Sequence, residues 1–168
     1  MSGRDDAART VFATVFLLSQ SWKNLLDDML APAGLSAKQW MLLVAIETFG
    51  DEAPTLSAAA DRYGASRQAA KQLALRLERA GFLRIAPDPD DARTLRLHLT
   101  PQHREFWDRH AGEHLEGLAA LFAGVDDAAL GTAADVATAL LATARAAEGR
   151  GMEGLVGPAG LEPTTPAV

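Results

Sequence analysis

The sequence of 168 residues contains no cysteine. This absence excludes disulfide bridges, thiolate redox sensing, a cysteine nucleophile and cysteine-ligated zinc. Common catalytic patterns are missing as well, because there is no Gly-rich phosphate loop, no HExxH pair and no Ser/His/Asp arrangement at a recognisable spacing. We therefore expect a protein that is not an enzyme and that uses no cofactor.

Long apolar runs are also absent. The longest, such as residues 41–46, are far too short to cross a bilayer, and the N-terminal MSGRDDAART lacks the basic and apolar regions of a signal peptide. With 48% hydrophobic residues and a mean hydropathy near zero, the composition is typical of a soluble globular protein. The sequence predicts a cytoplasmic protein without a membrane partner.

The chain has no overall excess of positive charge. Its net charge is −6, which by itself argues against nucleic acid as a partner. The distribution reverses that argument, because the stretch from Arg62 to Arg104 holds nine basic and four acidic side chains. That stretch carries +5, while the seven basic and eighteen acidic side chains elsewhere carry −11. A basic module within acidic surroundings indicates a local nucleic-acid-binding surface.

Helical segments flank this basic module. Apolar side chains recur at helical spacing in residues 7–30, and again in helices predicted over residues 100–122 and 126–148. The last segment, residues 149–168, is rich in glycine and proline and has few apolar anchors, so we expect it to be disordered.

The central module consists of three short predicted helices and a hairpin. Ser36 and Gln39 form a capping box for the first helix, and Ser66 caps the third after a turn of about three residues. Apolar residues of the third helix fall at i, i+3, i+4 and i+7 and are predicted to face the core, namely Ala70, Leu73, Ala74 and Leu77. Residues 82–86 and 94–99 are predicted strands around the turn PDPDDAR. This order is the layout of a winged helix-turn-helix.

Four motifs of the chain, taken in order, resemble the MarR family of bacterial transcription regulators. LSAKQWMLL resembles the family's L-T/S-x-x-Q-W/F-x-x-L run, and SRQAAKQLALRLERAGFL resembles its recognition helix. DPDDART, with Asp91-Ala92-Arg93 as the D-x-R element, resembles the family's wing, and LHLTP resembles the exit from the wing into the next helix. The resemblance covers roughly residues 35–101 by motif and the flanking helices by pattern only.

The resemblance implies a mainly α fold with a small β-hairpin wing (α+β), assembled as a homodimer. Two recognition helices and two wings would bind a pseudo-palindromic operator in double-stranded DNA, with half-sites about one helical turn apart. The family default is a repressor that a small aromatic or amphipathic effector releases. The implied segments are an N-terminal dimerisation helix (1–34), the winged helix-turn-helix (35–100), C-terminal dimerisation helices (101–148) and the disordered tail (149–168).

The outer face of the recognition helix carries the candidate DNA-reading residues Ser66, Arg67, Gln68, Lys71, Gln72 and Arg76. Glutamine can pair with adenine and lysine can reach guanine in the major groove. Ser66 is expected chiefly as the helix cap and Arg67 as a phosphate contact. Arg76 is equally suited to an ion pair within the protein. The alternative for the whole group is an ordinary solvated helix face.

The turn between the strands carries the second set of candidates. We expect Arg93 to insert into a narrow minor groove, where the negative potential is deepest. Asp91 is expected to orient the Arg93 side chain through a bidentate pair. Arg84 and Arg96 alternate outward on the strands, where they are either phosphate contacts or solvated charges. The alternative is a flexible charged turn.

Three aromatic residues are candidates for an effector pocket. Trp22, Trp40 and Phe49 are expected near a pocket between the first two helices and the fifth, around which members of the resembled family bind small molecules. Aromatic side chains more often belong to the core of a protein than to a ligand pocket. We therefore expect a core role for these three residues and a pocket only as a secondary role.

Three histidines lie near one face of a single predicted helix. His103, His110 and His114 have spacings of seven and four residues, which permits a metal site. A polar helix face near the dimer junction is the favoured alternative, so no metal is expected.

Two functions of different classes remain open from the sequence. The first is sequence-specific DNA-binding regulation by a homodimer. The second is a winged-helix module that binds protein instead of DNA, for which the acidic overall charge is the only support.

Overall fold

The computed structural model describes residues 2–148 of the chain. The predicted disordered tail, residues 149–168, lies outside the described residues. The described elements, in chain order, are α1 (Gly3–Leu30), a single 3₁₀ turn (Ala31–Ala33), α2 (Ala37–Glu47), α3 (Leu56–Tyr63), α4 (Arg67–Arg79), β1 (Leu83–Pro87), β2 (Leu95–Leu99), α5 (Pro101–Phe122) and α6 (Asp127–Glu148). The chain separates into two compact units, of which the first reaches His110 and the second begins at Ala111. The mainly α fold with a β-hairpin is confirmed.

Local hydrogen bonds at the helix ends explain where the helices begin. At α2 the Ser36 hydroxyl accepts from Gln39 N–H, and the Gln39 side chain accepts from Ser36 N–H, so the predicted capping box is present. Thr55 caps α3 by accepting from Ala58 N–H at 3.1 Å. The helix α4 ends where Gly81 adopts a φ of 84°, a left-handed conformation that favours glycine.

The core lies between α2, α3, α4 and the hairpin. Leu42, Leu43, Leu77, Leu83 and Leu97 are among its fully buried side chains. The predicted core face of α4 is confirmed, since Ala70, Ala74 and Leu77 are inaccessible to solvent and Leu73 is half-buried. Small alanines at these positions let α4 approach its neighbours closely.

The two strands pair antiparallel in a register from Leu83 opposite Leu99 to Pro87 opposite Leu95. Leu97 is fully buried and lies opposite Ile85, which packs against the core. An isolated bridge joins Thr55 to Arg96, so the segment in front of α3 lies along the outer edge of β2. The wing is therefore attached to the helix-turn-helix on both of its sides.

The helices near the ends of the chain bury little of their apolar surface. Leu30 is the only buried residue in α1, and Ala147 is the only one among the residues described for α6. Large exposed side chains include Phe12, Phe16, Leu118 and Leu140. Within residues 2–148, no single helix is long and apolar enough to cross a membrane, although two bent helix pairs would meet that criterion by length and composition alone.

Candidate nucleic-acid interface

The recognition helix α4 begins at an exposed and capped N-terminus. The Ser66 hydroxyl accepts a hydrogen bond from Ala69 N–H at 3.2 Å, as expected for its capping role. Gly64, with a φ of 80°, turns the chain between α3 and α4, and Ala65 N–H donates to the Ala60 carbonyl across that turn. This short turn fixes α4 against α3 in the helix-turn-helix arrangement.

The face of α4 away from the core is exposed over two turns. Its polar side chains are those expected from the sequence, namely Arg67, Gln68, Lys71, Gln72 and Arg76. In the part of the chain that the structure describes, no hydrogen bond or ion pair engages any of these side chains. Their donors therefore point to solvent, where a DNA groove would supply acceptors.

A groove of about 340 Å³ lies between α4 and the wing. Arg67, Gln68 and Lys71 line it from α4, and Leu56 and Leu95 line it from α3 and β2. Helix donors and wing residues thus share one concave surface. Two cationic side chains at its wall favour a polyanionic ligand.

The turn at the wing tip is ordered by two aspartates. The Asp88 carboxylate accepts from Asp90 N–H at 2.8 Å and from Asp91 N–H at 3.3 Å. Backbone bonds from Asp88 N–H to the Thr94 carbonyl and from Thr94 N–H to the Asp91 carbonyl close the turn. Arg93 is exposed at this tip. The backbone of the wing tip therefore holds the Arg93 position in a hydrogen-bonded turn.

The structure corrects the expected role of Asp91. One of its oxygens accepts from Arg93 N–H at 3.0 Å, and the other accepts from the Thr94 hydroxyl at 2.9 Å. No ion pair between the Asp91 and Arg93 side chains is present among residues 2–148. Asp91 orders the backbone that carries Arg93 and does not orient the guanidinium, because its two oxygens are used within the turn.

The structure also corrects the expectation for Arg96. Its guanidinium forms an ion pair with Asp88, lies 3.5 Å from a carboxylate oxygen of Glu52 and donates to the Ala53 carbonyl at 2.7 Å. These acceptors engage the Nε and Nη1 donors of the guanidinium within the protein, so Arg96 is not simply a solvated charge. Arg96 therefore serves first as a structural residue of the wing.

These contacts perturb the acid and base involved. Backbone hydrogen bonds from Asp90 and the Arg96 guanidinium lower the pKa of Asp88. The Asp88 carboxylate in turn raises the pKa of Arg96. Both residues are therefore ionised across the physiological pH range.

Several structural residues of the wing were missed by reasoning from the sequence. Asp88 and Glu52 hold Arg96, and Glu78 accepts from Ile85 N–H at 2.7 Å and so ties the end of α4 to β1. The DPDD sequence gave a partial signal, since aspartate favours turns in which it accepts from N–H groups two residues on. Nothing in the local sequence indicated that Glu52 or Glu78 lies beside the wing.

The three aromatic candidates have different neighbours. Trp40 is half-buried and its ring centroid lies 6.2 Å from that of Trp107, whereas Phe49 lies under the Arg62 guanidinium at 4.9 Å. Trp22 is 36% exposed on α1. The two described cavities, the groove at α4 and one of about 310 Å³ beside the 50–54 loop, include none of these three. The effector pocket at these three residues therefore stays a prediction.

The histidines have individual environments. His103 is buried, and its Nε2 accepts from the Trp107 indole N–H at 2.7 Å. Burial, together with the charge of Arg104, lowers the pKa of His103 to about 4, so its ring is neutral. A ring nitrogen of His110 lies 2.7 Å from the Phe106 carbonyl. Within residues 2–148 no group of three His, Asp or Glu side chains has the arrangement of a metal site.

Comparison with known proteins gives a family model that matches part of the chain, and a fold. The model of the MarR family matches residues 33–94, whereas no curated protein sequence matches the chain. Among solved structures, BldR from Sulfolobus solfataricus superposes with a TM-score of 0.71 at 16% identity, over 85% of this chain and 99% of its own.

For two further solved structures, a ligand of the protein concerned is known. Sco3205 from Streptomyces coelicolor, a MarR family regulator in complex with DNA, has a TM-score of 0.70 at 20% identity over 79% of this chain and 84% of its own. BpsR from Bordetella bronchiseptica, whose DNA binding is regulated by 6-hydroxynicotinic acid, has a TM-score of 0.66 at 18% identity over 77% and 91%. These likenesses define the fold.

Proposed function

We propose that this chain, whose residues 33–94 match the model of the MarR family, is a member of that family and a sequence-specific DNA-binding transcription regulator. The observation that carries the proposal is the exposed face of α4, where Arg67, Gln68 and Lys71 line a groove shared with the wing. Glutamine and lysine donors on such a helix match the acceptors of base edges in the major groove. The family match supports the reading of that face as a DNA surface.

The local charge supports the same proposal. The stretch from Arg62 to Arg104 carries nine basic and four acidic side chains in a chain of net charge −6. Arg67, Lys71 and Arg93 lie exposed on α4 and on the wing tip. These cations would neutralise phosphates, so binding should weaken steeply as salt rises.

We propose a homodimer as the binding unit. The support is the apolar surface of the terminal helices, since Phe12 is 69% exposed and Leu118 is 53% exposed in the single chain. Apolar surface of this extent favours burial against another subunit. Residues 1–34 and 101–148 are the proposed dimerisation segments, and a dimer would bind a pseudo-palindromic operator in the cytoplasm.

We further propose that the protein is a repressor that a small-molecule effector releases from DNA. The support is by analogy, because the DNA binding of BpsR is regulated by 6-hydroxynicotinic acid. An effector would act by binding one dimer geometry better than the other, which shifts the spacing of the recognition helices.

Fluorescence anisotropy of the protein on its own upstream intergenic DNA tests the proposal. A scrambled duplex is the control, and both are titrated from low to high salt. Tight, salt-dependent and sequence-selective binding is the expected result. The absence of binding even at low salt would contradict the proposal and favour the protein-binding alternative.

A further inference from the structure

Arg96 connects two segments that are far apart in the sequence. From the strand β2 its guanidinium pairs with Asp88 at the start of the wing turn. The same guanidinium reaches Glu52 and the Ala53 carbonyl in the loop that precedes α3. We call these four groups, the side chains of Arg96, Asp88 and Glu52 and the carbonyl of Ala53, the wing clamp.

The backbone beside the wing clamp makes the same connection. Leu97 N–H donates to the Pro54 carbonyl at 2.9 Å, and Thr55 pairs with Arg96 as an isolated bridge. Thr55 is also the residue that caps α3, the first helix of the helix-turn-helix. One short segment therefore starts that helix and borders the wing strand.

Asp88 joins the wing clamp to the wing tip. Its carboxylate is 8% exposed and holds the Asp90 and Asp91 amides as well as Arg96. The turn that carries Arg93 is thus linked through one carboxylate and one guanidinium to the loop before α3. A planar guanidinium can serve three acceptors in fixed directions, which a lysine ammonium cannot do with the same geometry.

We propose that Arg96 and Asp88 are positioning residues for DNA binding, because the wing clamp fixes the direction in which the wing leaves the helix-turn-helix. This inference rests on the proposed function, and it adds a role for residues that do not themselves contact DNA. A two-stranded hairpin alone is only marginally ordered in water. The wing clamp orders the hairpin in the free protein. DNA binding is then not opposed by the entropy cost of ordering the hairpin.

The first test measures the wing in the free protein. The chain has no cysteine, so Ala92→Cys offers a single spin-label site at the wing tip. Arg96→Met retains much of the side-chain stem and removes the charge, and we expect a more mobile electron paramagnetic resonance line shape. Arg84→Met, which removes a cation from β1 of the same hairpin, is the matched control and should leave the line shape unchanged.

Asp88→Asn is a second variant that keeps the turn. Asparagine still accepts from the Asp90 and Asp91 amides, so the loss is confined to the ion pair with Arg96. We expect label mobility between that of the wild type and that of Arg96→Met, with an unchanged far-ultraviolet circular dichroism spectrum. An immobile label in both variants would overturn the proposal. This arm needs no DNA, so it tests the wing clamp even if the protein were to bind no operator.

The second test is a double-mutant cycle on operator DNA with Arg93→Ala. We expect Arg96→Met to weaken binding by roughly tenfold when Arg93 is present, and to have little effect in the Arg93→Ala background. The contrary result would be additive losses of affinity, together with a slope of log affinity against log salt that falls by about one in both backgrounds. It would make Arg96 a direct phosphate contact and overturn the proposal.

Discussion

The winged helix and the terminal helices of this chain differ in how much of their apolar surface is buried within a single chain. In the winged helix, Leu43, Leu77 and Leu97 are inaccessible to solvent and the helix ends are capped. In α1, by contrast, Phe16 is 65% exposed and Leu17 is 72% exposed. Both regions are helical and apolar in sequence, yet only the first encloses its apolar residues.

This difference separates two sources of stability. The winged helix buries its core against its own segments, so its stability should not depend on protein concentration. The apolar faces of the terminal helices gain stability only from a second surface, which couples their order to association. The comparison therefore predicts that substitutions in the two regions have different consequences, and the following experiments test it from the largest expected effect to the smallest.

Leu77→Ala should lower the free energy of unfolding by about 2–5 kcal/mol, because it leaves a cavity in a fully buried site. Chemical denaturation at two protein concentrations measures the loss. Leu17→Ala is the matched comparison, since the same atoms are removed where the side chain is 72% exposed in the single chain. Its cost should be smaller and should vary with protein concentration, because only a second subunit would cover that surface. Equal losses at the two sites would break the comparison.

Val15→Glu should disrupt the proposed dimer, because it introduces a charge on the apolar face shared with Val11, Leu18 and Trp22. Operator affinity should then fall by roughly a hundredfold, since two half-sites would no longer be bound by one assembly. Sedimentation equilibrium and anisotropy measure the two effects. Asn24→Glu adds the same charge on another face of α1 and should leave the dimer intact. A dimeric Val15→Glu variant with full affinity would exclude this face from the interface.

Gln72→Ala should reduce operator affinity by about 1–3 kcal/mol on the native operator, while the dimer stays intact. The reason is the loss of a base contact from the exposed face of α4. Anisotropy on operators with single base-pair changes measures the effect, and the variant should lose discrimination at one position in each half-site. Gln68→Ala offers a second variant one turn away. A uniform loss on all duplexes would instead identify these residues as backbone contacts.

Arg93→Ala should weaken binding by roughly tenfold, about 1.4 kcal/mol, across related operators. The wing-tip guanidinium contributes charge and no pattern of base donors, so specificity should change little. The turn itself should persist, because Asp91 binds the backbone N–H of residue 93 and not its side chain. Unchanged affinity of the variant would remove the wing tip from the interface.

His103 should make stability depend weakly on pH. Its pKa of about 4 in the folded protein is below the ordinary value near 6.5, so the unfolded chain takes up a proton first as the pH falls. Its contribution is complete above about pH 6.5 and is lost progressively as the pH falls toward 4. Between pH 7.5 and 6 the expected loss is about 0.5–1 kcal/mol.

His103→Gln is the variant that isolates this effect. Glutamine can still accept from Trp107, but it does not titrate, so the slope of stability against pH should flatten. Other groups remain, because burial lowers the pKa of His98 and raises that of Glu47, whose carboxylate lies 3.4 Å from His103. Denaturation curves at pH 7.5 and 6 give the difference, and parallel slopes in the two proteins would contradict it.

Much of the winged helix could be predicted because its signals are local. The capping pairs at Ser36 and Ser66, the apolar spacing of α4 and the turn residues around Pro87 to Thr94 each lie within a few positions. The expected strands, residues 82–86 and 94–99, differ from the observed Leu83–Pro87 and Leu95–Leu99 by one residue at three of their four ends. Such short-range patterns determine helix and hairpin formation directly.

The roles of individual charges could not be predicted in the same way. Arg96 alternates along β2 like an outward-facing residue, but its partners Glu52 and Ala53 lie more than forty positions earlier in the chain. We expected Asp91 to pair with the Arg93 side chain, but in the folded turn its carboxylate accepts from the Arg93 backbone N–H instead. Both errors concern the choice of hydrogen-bond partner. That choice depends on the three-dimensional path of the chain.

The sequence by itself determined the element order, the basic module and the exposed donors of α4, because periodicity, caps and charge are properties of neighbouring residues. Only the tertiary structure decided that Arg96 belongs to the wing clamp and that His103 is buried beside Trp107. The physical reason is that burial and ion pairing depend on which distant segments share a space, and the chain specifies this only through packing of the whole core.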